Sequence, residues 1–294
     1  MGILLGLLTA LTWGGADFLA RFATQRIGTL RAMLYMQLSG FVLLTIFLPW
    51  LGGLGHLGDG SGWQPWAWGI LAGSINAIST LSLYRSFEIG KMAVVAPLSA
   101  SYPALTVTLS LVSGERLSAA RAVGIVCTML GVVLVAGGEK APSTDDHEAG
   151  SRSRKGIGLA LCSAVGFGFL FWLLGVRMIP RIGPTQTVWM IRMVCSLVGG
   201  AVILLSNQPI GLPPNGARRM ALAMGALDTG AFVLSNHGMQ MEQVAVISVL
   251  GSLYGAVTVA LAVGWDCRDL HGHFPDQPLS RTDTVVSRIL VSGQ

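Results

Sequence analysis

Apolar residues fill this chain in long blocks separated by short polar intervals. A bilayer core about 30 Å thick is crossed by roughly 20 apolar residues in a helix. Nine stretches reach about that length, near 3–22, 30–50, 65–86, 92–112, 119–137, 156–176, 184–205, 218–239 and 243–263. The pattern predicts an all-α polytopic membrane protein. The many small residues within the blocks suit close helix packing in lipid, where backbones must approach to gain contacts.

The blocks repeat. Shifted by 152 positions, residues 93–109 fall on 245–261 with eight of 17 identical, and shifted by 154, GILLGLLTALTWGGADFL falls on GIGLALCSAVGFGFLFWL. A shift of 155 sets Ile27 and Gly28 on Ile182 and Gly183. Each full unit would hold five spans. An odd number makes the second copy enter the membrane from the opposite side, so the expected architecture is two inverted five-helix repeats with a substrate site near the midplane between them. The expected organisation is a first repeat at 2–137, a charged linker at 138–155, a second repeat of four spans at 156–263, and a polar tail at 264–294.

Composition agrees with a membrane reading: 52% of the 294 residues are hydrophobic, 11% are charged and the mean hydropathy is +0.64. A soluble domain carries about a quarter charged residues. The net charge of +5 comes from Lys and Arg standing singly between apolar segments, which reads as a topology signal and not as a nucleic-acid patch. Trp63, Trp66 and Trp68 suit an aromatic belt at the interface. The four cysteines are scattered without CxxC spacing and read as unpaired thiols. HExxH, GxSxG and Walker motifs are absent, and the HGH at 271–273 lacks metal-ligand spacing, so no catalytic residue, cofactor or metal site is expected.

Polar residues deep in the spans carry the candidate chemistry, because an ionised group there is costly and normally faces the bundle interior. Asn76 in the third span and Asp228 in the eighth are repeat mates, as are Gln37 in the second and Arg192 in the seventh. Arg192 suits a carboxylate or phosphate and Asp228 an amine or proton, or the two satisfy each other as an ion pair. Asp17 follows TWGG in the first span, where it either serves the site or snorkels to the headgroups. Trp13, Tyr35, Tyr84, Tyr102 and Tyr254 suit either a cavity wall or packing, and Tyr102 and Tyr254 are repeat mates. Pro97 and Pro103 predict either a tolerated kink or a coordinating break in the fourth span.

The run APLSASYPALTVTLSLVSGERLS, followed by GIVCTMLGVVLVAGG, resembles the EamA domain of the drug/metabolite transporter (DMT) superfamily, as does SVLGSLYGAVTVALA. The residues that carry the resemblance are Tyr102, Pro103, Gly114, Glu115, Arg116 and Leu117, with TWGGADF in the first span. It implies ten helices in two inverted units and a carrier of small metabolites, amino acids or drugs. Such a carrier is usually an exporter in the plasma or inner membrane, working by alternating access. Its partners would be a small solute, the lipid bilayer and a coupling proton or other ion, with no nucleic acid and no oligomeric state specified. The alternative is a non-transporting or defective membrane protein.

The resemblance breaks at the end of the chain. Gly114 to Leu117 fall opposite Asp266, Cys267, Arg268 and Asp269, and the apolar run 122–136 has no counterpart, so the tenth helix is expected to be missing or replaced. Three explanations compete: a nine-span protein with a soluble tail, a tail that folds with a partner, and a reading-frame slip near codon 263, the last being favoured. Loop charges count eleven Lys and Arg against four and place the linker in the cytoplasm, whereas the resemblance places it outside, so orientation stays open.

Overall fold

The computed structural model describes residues 1–60, 62–137, 147–206, 211 and 215–269. All nine apolar stretches are helical. In chain order the helices are α1 (Gly2–Ile27), α2 (Thr29–Phe47), α3 (Gln64–Ile89), α4 (Met92–Ser99), α5 (Pro103–Val112), α6 (Ala119–Gly137) and α7 (His147–Leu173). A π-helical turn at Leu174–Met178 leads into the short α8 (Ile179–Ile182). There follow α9 (Pro184–Leu205), α10 (Asn215–Met241), α11 (Val244–Ser252) and α12 (Tyr254–Asp269). No strand occurs among the described residues.

Among the described residues, six helical segments are long and apolar enough to cross a membrane. The two long helices α3 and α10 fall below that apolar standard although they have 26 and 27 residues. Their polar side chains point inward: Asn76, Ser79 and Ser86 are buried on α3, and Asp228, Ser235 and Asn236 on α10. Large apolar residues such as Leu11, Val42, Ile78, Val165 and Leu197 are exposed on the outside. This is the arrangement a bilayer demands, because lipid solvates the outer face and only the interior can satisfy polar groups.

The two halves pack alike. Helix α1 lies along α10 as α7 lies along α3; α2 meets α10 as α9 meets α3; and α2 and α9 meet each other. The links between the first two spans of each half share one backbone conformation, Gly28 at φ 81°, ψ 156° and Gly183 at φ 88°, ψ 158°. A positive φ of this kind is strained for any residue with a Cβ. The fourth span breaks between Ser99 and Pro103 and the ninth at Leu253, the corresponding register. In the first break the chain keeps its hydrogen bonds as a tight turn, with Ser101 N donating to Leu98 O at 3.2 Å and Ala104 N to Ser101 O at 3.1 Å. Pro103 opens α5 at a position where a missing N–H costs nothing, so the break is a kink satisfied within the backbone.

Two boundaries differ from expectation. Helix α7 begins at His147, inside the interval assigned to the linker, and α12 runs to Asp269, past the assigned end of the ninth span at 263. Charge ends an apolar span but need not end a helix, since Glu, Arg, Lys and Ala are good helix formers. Linker residues 138–146 and tail residues 270–294 lie outside the described residues.

Glycine sets the closest approach between the halves. A Cβ on Gly40 would meet Thr229 Oγ1, and one on Gly225 would meet Ser39 Oγ and stand 2.7 Å from the carbonyl of Met36. The last contact is backbone, which cannot rotate away. Gly225→Val is therefore expected to destabilise the α2–α10 seam by about 1–3 kcal/mol, lowering the thermal midpoint in detergent. Gly200→Ala, which meets nothing within 4 Å, should leave it unchanged or raise it; equal midpoints for the two variants would contradict this packing.

Candidate functional site

Arg192 is fully buried on α9. A buried guanidinium is costly unless it is paired and hydrogen-bonded, so the bundle must supply a counter-charge and acceptors. Nη2 stands 2.5 Å from Oδ2 of Asp228 on α10. Nη1 donates to Oε1 of Gln37 on α2 at 2.6 Å and touches Met36 Sδ at 3.5 Å. The guanidinium carbon also lies 4.9 Å from the centre of the Phe232 ring, a cation–π distance. The other carboxylate oxygen of Asp228 accepts from the Trp13 indole at 3.0 Å. Three helices and the first span are thus joined through one charge pair.

A cavity opens beside this network. It is lined by Trp13 and Asp17 of α1, Thr80, Leu83 and Tyr84 of α3, Tyr102, Phe167 and Phe171, Asp228 and Phe232 of α10, and Tyr254. The free space is about 30 Å³, room for one or two waters. The rings form one connected wall: Trp13 meets Phe171, Phe232 and Tyr254 edge-on at 5.4, 5.2 and 6.3 Å. Asp17 is buried and faces this space, yet it makes no hydrogen bond or ion pair among the described residues.

The two tyrosines tie the halves together. Tyr102, at the break before α5, donates to the carbonyl of Ser248 on α11 at 2.9 Å. Tyr254, at the break before α12, pairs with Ser99 Oγ at the end of α4 at 3.0 Å. Their rings stack at 6.4 Å with an interplanar angle of 19°. Each broken helix therefore anchors on the other half's broken helix. Gly255 presses on Ala100 at the same place, where an added Cβ would stand 2.8 Å from that of Ala100.

Of the residues singled out from sequence, Trp13, Asp17, Tyr84, Tyr102, Asp228 and Tyr254 line the cavity, and Gln37 and Arg192 stand behind it. Asn76 does not meet its repeat mate Asp228; its Nδ2 lies 3.2 Å from Cys195 Sγ, which in turn lies 3.1 Å from the carbonyl of Gly73. Tyr35 reaches the carbonyl of Gly211 at 2.5 Å, away from the cavity. Sequence reasoning missed Phe167, Phe171 and Phe232. For the first two the signal was present: the 154-residue register sets Trp13 on Phe167 and Asp17 on Phe171, whereas Phe232 falls opposite Thr80 in the 152-residue register. An aromatic standing opposite a candidate residue was the pointer.

Comparison with known proteins agrees with this architecture. Residues 1–137 match the family model described as the EamA-like transporter family. An uncharacterized protein of Methanocaldococcus jannaschii is 28% identical over 134 residues, 45% of this chain and 94% of that relative. A chain of known crystal structure superposes with a TM-score of 0.70 at 19% identity, covering 99% of this chain and 94% of its own, a likeness of fold.

The charge network generates a sharp expectation for stability. Arg192→Met leaves Asp228 without its cation and should cost about 3 kcal/mol or more, measured by denaturant unfolding in detergent. Adding Asp228→Asn should recover part of that loss, because the second change removes the uncompensated charge. A double variant as weak as the sum of the two singles would contradict a coupled pair.

Proposed function

We propose that this chain, whose residues 1–137 match the model of the EamA-like transporter family, is a multi-pass carrier that moves a small solute through the cavity between Trp13, Asp17, Asp228 and Tyr254. The observation that carries the reading is the charged, ring-lined cavity between two halves that pack alike. A purely structural core would be expected to fill that place with apolar side chains, since buried charges are costly to assemble in a membrane.

The mechanism we infer is alternating access by two inverted repeats, the first at 2–137 and the second at 156–263. Both ends of the bundle carry contacts between the halves. At the end near Met1, Arg121 donates to Glu242 and Gln243, each at 2.8 Å, Gln243 Nε2 donates to the carbonyl of Arg116, and Glu115 accepts from Ala245 N at 3.4 Å at the start of α11. At the other end an added Cβ on Gly156 would stand 3.1 Å from Gly90 Cα, and Arg31 and Tyr35 both reach the carbonyl of Gly211. Releasing one set of contacts while keeping the other opens the cavity to one side at a time. A cavity of about 30 Å³ must widen before a metabolite fits. Export across the plasma or inner membrane is the direction the family favours.

The test is a lock on one end. Arg121→Cys with Glu242→Cys, in a background freed of native cysteines, is joined by a bifunctional thiol reagent in proteoliposomes. Solute exchange is followed with radiolabelled amino acids and small amines. Exchange should stop on cross-linking and return on reduction of a cleavable linker. Exchange that continues through the cross-linked protein would overturn the gate, and exchange of no solute by the unmodified protein would favour the non-transporting alternative.

A further inference from the structure

We infer that the solute is a monovalent organic cation with an aromatic or bulky apolar body, held by Asp17 inside the ring of aromatic side chains. The inference rests on the carrier reading of the same cavity and adds to it the charge and shape of what is carried.

The charges around this one space do not balance. Arg192 is the natural receptor for an anion, but it is already committed: Asp228 stands 2.5 Å from Nη2, Gln37 accepts from Nη1 at 2.6 Å, and Phe232 covers the guanidinium face. The side chain has no exposed surface and does not line the cavity. An incoming carboxylate or phosphate would have to displace Asp228 and leave that carboxylate unpaired inside the bundle, a heavy cost. Asp228 is likewise spoken for, with one oxygen on Arg192 and the other on the Trp13 indole.

Asp17 is the group left over. It is 6% exposed, faces the cavity and has no hydrogen-bonding or ionic partner among the described residues. The charged side chains at the site are then one cation and two carboxylates, so an ionised Asp17 leaves a net negative charge facing the open space. Trp13, Tyr84, Phe171, Phe232 and Tyr254 present π-faces or edges around it. Ring faces attract a cation and edges pack against an apolar or aromatic body. One unpartnered carboxylate in an aromatic box fits an ammonium-type ligand and repels an anion.

The position is also asymmetric in the way a binding carboxylate should be. Its register mate in the second half is Phe171, which lines the same cavity. The two halves therefore supply one acid and one ring at equivalent places, giving a ligand a charged end and an apolar end.

The probe is phenyltrimethylammonium, with benzoate as the anion of similar ring size, titrated against the purified full chain by tryptophan fluorescence. The cation should bind saturably and benzoate should not. Asp17→Asn should weaken the cation by about tenfold or more, the size of one lost charge partner in a desolvated site, and Asp17→Glu should restore part of the affinity. If Asp17→Asn unfolds, the comparison of cation with benzoate on the unmodified protein still decides. Benzoate binding as well as or better than the cation, no saturable cation binding, or indifference to Asp17→Asn in a folded variant would each overturn the assignment. Flux in proteoliposomes separates this inference from its premise. Asp17-dependent cation binding without flux keeps the site and removes the carrier, whereas exchange of an anion without cation binding keeps the carrier and removes the cation.

Discussion

Everything in the middle of this molecule is arranged around a guanidinium that water cannot reach. An isolated charge at mid-span would cost several kcal/mol. Asp228, Gln37 and the Phe232 ring offset that cost from two other helices, and Trp13 holds the second oxygen of Asp228 in place. The pair fixes which faces of α2, α9 and α10 turn inward and where α1 sits against them. Glycines at 40 and 225 let α2 and α10 come close beside the pair, and a Cβ on Gly40 would also stand 3.4 Å from Arg192 Cδ. The local sequence choices and the charge network are one constraint seen at two scales.

Around that fixed centre the two halves meet through elements suited to movement. The broken helices α4/α5 and α11/α12 touch through Tyr102, Tyr254, Ser99 and Ser248, hydrogen bonds of modest net worth that re-form at low cost. The end contacts through Arg121 and Glu242 are partly exposed, and ion pairs open to solvent contribute about 0–1 kcal/mol. The strong interaction is central and the weak ones are peripheral, the distribution that the proposed alternating-access reading calls for. The same distribution places the cavity beside the strong central pair.

Much of this was legible before any coordinates. Apolar blocks of about 20 residues gave the helices, because lipid leaves the backbone no alternative to internal hydrogen bonding. The register between the halves located the Gly28 and Gly183 links and the two tyrosines. Depth in the span picked out Arg192, Asp228, Gln37 and Asp17, since charge inside a membrane is rarely idle. What sequence could not supply was rotation about each helix axis. Asn76 and Asp228 are register mates, yet Asn76 turns to Cys195 while Asp228 turns to Arg192. The apolar spans marked where lipid begins and not where a helix ends, so the starts and stops of α7 at His147 and α12 at Asp269 lay outside what the pattern addressed. Phe167, Phe171 and Phe232 were passed over because phenylalanine in an apolar block carries no signal of its own; for Phe167 and Phe171 only the positions opposite them did, and Phe232, opposite Thr80, had none.

The central claim is that the cavity beside the Arg192–Asp228 pair opens to each side of the membrane in turn. The most direct measurement places a single cysteine at Thr80, which lines the cavity from α3, in a background without other cysteines. Its reaction with a membrane-impermeant thiol reagent is then timed from each side of oriented proteoliposomes. The account expects labelling from both sides, with labelling from the Met1 end abolished when Arg121 and Glu242 are cross-linked through their own cysteines, blocked beforehand against the label, and labelling from the opposite end retained. Labelling from neither side, or from one side only whatever the state of that end, would contradict it.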